Sequence, residues 1–204
     1  MSFLKEIVVQ KNIRILIWKI DEALSDLKKI VLLSNEQKKE FEKRVPISTK
    51  KQYLASRKLI EMVKKNQLNK GFYKSKFKNK KFYYSISHTK SYAVLGVAYS
   101  SIGVDIESYR TKILKIKTKF INPNEIYSTR ADDIKVITRL WTCKEAIYKC
   151  ISKNNISFKN DIIVDKFKIN SKRGYGKVYL KNKIIKFNLH FINFGNHELT
   201  LSYL

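Results

Sequence analysis

Helical periodicity followed by strand-like alternation occurs twice along this sequence of 204 residues, and that order limits the folds open to it. Phe3 to Trp18 alternates apolar and polar side chains as a strand or a hairpin does. Asp21 to Leu33 reads as helix. Ser34 opens a second helix as its N-cap, with Gln37 three residues later in capping-box position, and Pro46 closes it. Ser48 or Thr49 is expected to cap a third helix, in which Tyr53, Leu54, Leu59, Ile60 and Val63 recur at helical spacing. Phe82 to Ile86 and Tyr92 to Tyr99 are strand-like, Ser100-Ser101 is a turn, and Ile102 to Glu107 is a further strand. Asn122-Pro123-Asn124-Glu125 reads as a helix start, and a long helix is expected from about Asp132 to Ile151. Lys177 to Leu180, Ile184 to Phe191 and Glu198 to Tyr203 alternate again as strands. The order predicts an α+β protein of two related halves, residues 1–101 and 102–204, although no repeat is visible at the level of identity.

A hydrophobic content of 44%, with only 2 Pro and 6 Gly, belongs to a globular chain and not to a disordered or linker-rich one. Lys plus Arg number 43 against 17 Asp plus Glu, a formal charge of +26, which predicts attraction to polyanions or acidic protein surfaces. The excess is mostly Lys, spread along the whole chain, and Asn and Ile are abundant too, so an AT-rich genome would account for part of it. Met1 to Ile20 is interrupted by Lys5, Glu6, Lys11, Arg14 and Lys19 and has no signal-peptide core. The most apolar stretch, Tyr92 to Val104, is too short to span a bilayer as a helix. A cytoplasmic protein without a membrane partner is expected. Cys143 and Cys150 stand seven apart on one expected helix, about 10 Å along its axis, too far for a disulfide.

In a chain so short of acids, three among apolar neighbours bear on chemistry. Asp105 and Glu107, in Gly103-Val104-Asp105-Ile106-Glu107, share one face of a strand, where mutual repulsion favours a bound cation such as Mg²⁺. The alternative for this pair is an ordinary polar face at a strand end. Glu145 and Lys149, four apart on the long helix, share its face and could equally be a surface ion pair. Ser87-His88-Thr89 ends a strand, where the His could donate to a phosphate oxygen or serve only in packing.

Taken in order, Ser-Ile-Ser-His-Thr at 85–89, Gly-Val-Asp-Ile-Glu at 103–107 and Trp-Thr-Cys-Lys-Glu-Ala-x-x-Lys at 141–149 resemble the motifs of the Sfp-type 4'-phosphopantetheinyl transferases. The likeness extends from about Ser34 to the C-terminus, and the helix around Tyr53-Leu54-Ala55-Ser56-Arg57 resembles the family's N-terminal helix. It implies two similar α+β halves with a pseudo-twofold relation and an active site at their interface, in a monomer. It implies coenzyme A as co-substrate, with Mg²⁺ or Mn²⁺, and an acidic acyl or peptidyl carrier protein as partner. A serine of that carrier would receive phosphopantetheine, leaving 3',5'-ADP. By the same likeness Asp105, Glu107 and Glu145 hold the metal, and Glu145, Lys149 and His88 are catalytic. Coenzyme A contacts are implied at Lys38, Lys51, Lys74, Ser87, His88, Lys144 and Lys149, with Arg57 a further candidate. One departure is plain: where the family often has Gly-Lys-Pro before its Ser-His motif, this chain has Tyr73-Lys74-Ser75.

Two rival classes follow from charge. A metal-dependent nuclease also uses clustered acids with a Lys, but the Asp…Glu-x-Lys spacing of such enzymes is not evident and the Trp141 to Lys149 motif has no role there. A nucleic-acid-binding module would need a basic stripe with exposed aromatics, for which Phe72, Tyr73, Phe77, Phe82, Tyr83 and Tyr84 among lysines are the candidates. The combined motifs favour the transferase, and with it no nucleic-acid partner.

Overall fold

The computed structural model describes residues 3–65, 82–125, 133–181 and 183–204. Lys74 and the rest of the Lys70 to Lys81 stretch, with Asp132, lie outside them. The chain divides into two compact units, Met1–Phe82 with Ile86–Tyr99, and Tyr83–Ser85 with Ser100–Leu204.

The first unit is built on an antiparallel sheet of order β1-β2-β4-β3. β1 (Phe3–Gln10) and β2 (Ile13–Lys19) form the hairpin that the alternation predicts. β2 also pairs with β4 (Tyr92–Ala98), so it is central, and Ile15 to Trp18 are completely buried. β3 (Tyr83–His88) lies on the far side of β4. Helix α1 (Leu24–Ile30) is shorter than the Asp21 to Leu33 expected, because Val31 leaves helical geometry (φ −118, ψ 112) and buries its side chain. In α2 (Asn35–Glu42) the capping box forms as read: Ser34 Oγ accepts from Gln37 N at 3.3 Å, and Gln37 Oε1 accepts from Ser34 N at 3.1 Å. The expected cap of α3 (Ile47–Lys64) does not form. Its N-cap is Pro46, and Thr49 Oγ1 donates back to the Pro46 carbonyl at 2.8 Å instead of accepting a backbone N–H. Tyr53, Leu54, Leu59, Ile60 and Val63 of α3 are all buried and pack with Leu16, Trp18, Ala93 and Leu95 of the sheet.

The second unit holds an antiparallel sheet of order β5-β9-β8-β7-β6. Its strands are β5 (Ile102–Ser108), β6 (Ile162–Val164), β7 (Arg173–Leu180), β8 (Lys183–Phe194) and β9 (His197–Tyr203). Three-residue β6 is too short for alternation to reveal it in the sequence. β8 turns into β9 through Gly195, whose φ of +54° favours glycine. Where Asn122 to Glu125 reads as a helix start, Pro123–Glu125 forms a 3₁₀ turn that buries Glu125. After the short α4 (Lys117–Phe120), the long helix is α5 (Ile134–Ile151), capped by Asp133, whose carboxylate accepts from Lys135 N and Val136 N. Ile137, Leu140, Cys143 and Ile147 of α5 pack on Val178, Phe187, Leu189 and Phe191. Two antiparallel sheets with helices make the chain the α+β protein expected. No helix among the described residues is long and apolar enough to cross a membrane.

Candidate active site

Gly103 lets α5 lie against β5 and so assembles the acidic centre. A β-carbon at this position would sit 2.7 Å from the amide nitrogen of Cys150 and 2.9 Å from the carbonyl carbon of Ala146, both backbone atoms of α5 that cannot turn aside. The same face of β5 carries Asp105 and Glu107, while Val104 and Ile106 lie on the opposite face and are buried. On the neighbouring strand the residues directly across are Ser202, Thr200 and Glu198, all fully buried. α5 meets this row with polar groups: Thr142 Oγ1 lies 2.8 Å from Thr200 Oγ1, and Arg139 Nε donates to Glu198 Oε1 at 2.7 Å. We expect Gly103→Ala to destabilise the second unit by about 3 kcal/mol through overpacking, measured by urea denaturation.

This docking brings Lys149 to Asp105. Lys149 Nζ donates to Asp105 Oδ1 at 2.7 Å and to the Val104 carbonyl at 3.1 Å, and Asp105 is only 4% exposed. Glu145 and Glu107 are half-buried nearby. Burial raises the Glu145 carboxyl above its ordinary value of 4.5, the Asp105 charge and then Glu107 add to this, and Lys149 opposes it. Burial also raises Glu107, with Asp105 adding to it; Arg110 and the Trp141 side chain pull it back. Arg110 approaches Glu107 Oε2 at 3.3 Å. The three expected metal ligands thus share one electrostatic field. In this arrangement the Asp105 carboxylate is engaged by Lys149, and among the described residues no three acidic, His or Cys side chains converge as a formed metal cage. The donor set nonetheless fits a hard divalent cation: three carboxylates hold one another's charge at a cost that such an ion would remove.

The sign of that cost is testable. A carboxyl whose pKa is raised by folding binds its proton longer in the folded chain than in the unfolded one. The stability it contributes is therefore present below 4.5 and is lost as pH rises from there through the folded value. Mg²⁺ should raise the melting temperature near neutral pH and leave it unchanged below the ordinary carboxyl value, as read by differential scanning fluorimetry.

Lys144 has a different role from the coenzyme A contact expected of it. Its ammonium is completely buried and donates to Glu125 Oε2 at 2.7 Å, to the Phe158 carbonyl at 2.8 Å and to the Ile162 carbonyl. All three donors are taken by the protein. Burial lowers its pKa below the ordinary 10.5 against the pull of Glu125. Glu125 in turn accepts from Asn122 N at 2.9 Å and Val164 N at 2.7 Å. Lys144 therefore ties α5 to the 3₁₀ turn and to β6. Glu125, which the sequence reading passed over, is its partner. The one signal for it was an acid in the Asn-Pro-Asn-Glu turn. Trp141 braces the same end of the helix, its ring 4.9 Å from that of Phe120 and 5.6 Å from that of Phe158.

The first unit holds a basic cavity of about 590 Å³. Arg44, Arg57 and His88 line it with Lys43, Thr49 and Tyr53. The Tyr53 ring carries both guanidiniums, with Arg44 at 4.0 Å and Arg57 at 4.7 Å from its centroid. His88 is exposed at the end of β3 and Ser87 is buried. Thr89 is also buried, and its hydroxyl accepts from Ser91 N and Tyr92 N to close the turn into β4. Lys38 does not line this cavity. It borders another, of about 370 Å³, with Lys28, Phe41 and Leu54. Lys51 is half-buried on α3 and lines neither cavity. Lys43 and Arg44 were missed because nothing in the spacing of a helix C-terminus separates them from the other surface cations.

No curated protein matches the chain. Residues 101–201 match the family model described as the 4'-phosphopantetheinyl transferase superfamily, a span that contains Asp105, Glu107, Glu145 and Lys149. With its carboxylates gathered by Gly103 and its α+β sheet and helix in place, the second unit is thus similar over residues 101–201 to the 4'-phosphopantetheinyl transferase superfamily.

Proposed function

We propose that the chain is an Sfp-type enzyme that transfers 4'-phosphopantetheine from coenzyme A to a serine of an apo acyl or peptidyl carrier protein. The observation that carries this reading is the contact of Lys149 with Asp105, beside Glu145 and Glu107, within the matched segment. Attack by a serine hydroxyl on the pantetheine-side phosphorus needs a group to take the hydroxyl proton. It also needs positive charge on the oxygens of the pyrophosphate. Glu145 suits the first task, because its raised pKa makes it a stronger base than an ordinary carboxylate. Lys149 suits the second, as a cation held at the carboxylates and still part-exposed. Asp105, Glu107 and Glu145 are the residues that would hold Mg²⁺ or Mn²⁺, which when bound supplies charge neutralisation of the pyrophosphate. In the first unit, Arg44, Arg57 and His88 supply an anion-binding cavity suited to a phosphate of coenzyme A, with the Tyr53 ring among them. Acidic carrier proteins and coenzyme A would both be drawn by the +26 charge, in a salt-dependent way.

Incubation with coenzyme A, Mg²⁺ and a panel of apo-carrier proteins should add a phosphopantetheine mass to at least one carrier, read by intact-protein mass spectrometry. No gain across fatty-acid, polyketide and nonribosomal-peptide carriers would overturn the assignment. The carrier that gains mass also names the pathway.

A further inference from the structure

We propose that Arg139, Glu198 and Tyr109 form a buried clamp that positions Glu107 for cation binding; this deepens the transferase reading and rests on it. Glu198 stands directly across from Glu107 in the β5–β9 pair. Residues so placed share a face, with β-carbons about 4.5–5.5 Å apart, and like charges there repel. The chain holds a full carboxylate at this position, completely buried. Arg139 of α5 answers it with a fork, Nε to Oε1 at 2.7 Å and Nη2 to Oε2 at 3.3 Å. Tyr109 donates its hydroxyl to Glu198 Oε2 at 2.7 Å, and Asn193 Nδ2 donates to the same oxygen.

The rest of Arg139 is satisfied as well. Nη1 donates to the Ile169 carbonyl at 2.6 Å, Nη2 to Asn193 Oδ1 at 3.0 Å, and the guanidinium lies 4.6 Å from the Phe191 ring centroid. These contacts reach β8, β9 and the segment after β6. Tyr109 and Arg110 follow β5 directly, and the two side chains divide between Glu198 and Glu107. The side chain of Trp141, two residues after Arg139 on α5, acts on Glu107 itself and favours its charged form. The end of β5 is therefore held from α5 on one side and β9 on the other. An ordinary packing role at this place would be met by apolar side chains. A carboxylate beside a cation-binding acid is tolerable only if its charge is answered and its oxygens are held away from Glu107. Arg139 answers the charge, and Arg139, Tyr109 and Asn193 together engage both Glu198 oxygens.

The test uses the purified full-length protein. Replacement of the buried pair by apolar residues of similar size, Arg139→Met with Glu198→Met, is the kind of exchange that usually preserves stability. Tyr109→Phe removes one hydroxyl, with its bonds to Glu198 and Asn193, from a half-buried position and guards against misfolding of the double variant. Mn²⁺ affinity is measured by electron paramagnetic resonance without substrate, alongside melting temperature, kcat, and KM for coenzyme A. In folded double variant the Mn²⁺ dissociation constant should rise about tenfold, as for loss of other outer-shell partners, and kcat should fall with KM unchanged. Tyr109→Phe should move both in the same direction by less. Unchanged Mn²⁺ affinity and kcat in the folded variants would overturn the clamp, as would the absence of any Mn²⁺ binding by the parent protein. A clamp-dependent Mn²⁺ affinity in a protein that modifies no carrier would support the clamp and defeat the transferase reading alone.

Discussion

Glu145→Gln should reduce phosphopantetheine transfer by at least about 100-fold while the melting temperature stays at or above that of the parent. The lower bound on the loss follows from what removal of one preorganised electrostatic group costs in other active sites. The retained stability follows from the local charges. Burial raises Glu145, the Asp105 carboxylate adds to it, and only Lys149 opposes. A neutral amide of the same shape removes repulsion without opening a cavity. Intact-protein mass spectrometry of the carrier gives the rate, and fluorimetry gives the melting temperature. A variant that transfers at the parental rate would remove Glu145 from the chemistry. Equal losses of rate and stability would mean that Glu145 had been holding the fold.

Lys144→Met should instead cost about 3–5 kcal/mol of stability, because it leaves the Glu125 carboxylate buried without its counter-ion. Loss of the cation also frees the Phe158 and Ile162 carbonyls from their shared donor. Adding Glu125→Gln to this variant should recover part of the loss, since an amide is far cheaper to bury than an unpaired charge. Chemical denaturation of both variants measures the difference. If Lys144→Met were as stable as the parent and weakened only coenzyme A binding, the buried role would be wrong and the contact implied by the resemblance would be restored.

Adjacent residues of one motif thus divide between two duties, and the division shows where sequence reading stops. Glu145 and Lys149 are four apart and do lie on the face of α5 that meets Asp105. Lys144 lies one position back, on the inward side, and helical periodicity alone would class it with the other lysines of a chain that has 43 Lys plus Arg. Its burial depends on Glu125, which is nineteen residues earlier in a turn whose only mark was Asn-Pro-Asn-Glu. The same limit applies in the first unit. The periodic apolar residues of α3 were legible because burial of one stripe repeats every turn. Which cations would line the cavity was not, since Lys38 and Lys51 border other places while Lys43 and Arg44 share it with His88.

What the amino-acid sequence determined was the set of local elements and the alternation that puts Asp105 and Glu107 on one strand face. It also determined the order of motifs by which the chain resembles the phosphopantetheinyl transferases. These follow from periods of 2 and 3.6 residues and from turn chemistry, which act over a few positions. The tertiary structure alone decided that Gly103 must be glycine so that α5 can touch β5. It decided that Lys144 is spent on Glu125, and that a second carboxylate, Glu198, stands across from Glu107 under the guard of Arg139. Each of these is a long-range pairing in which the energy of a buried charge or a backbone contact depends on a partner from another element. A local pattern carries no record of that partner.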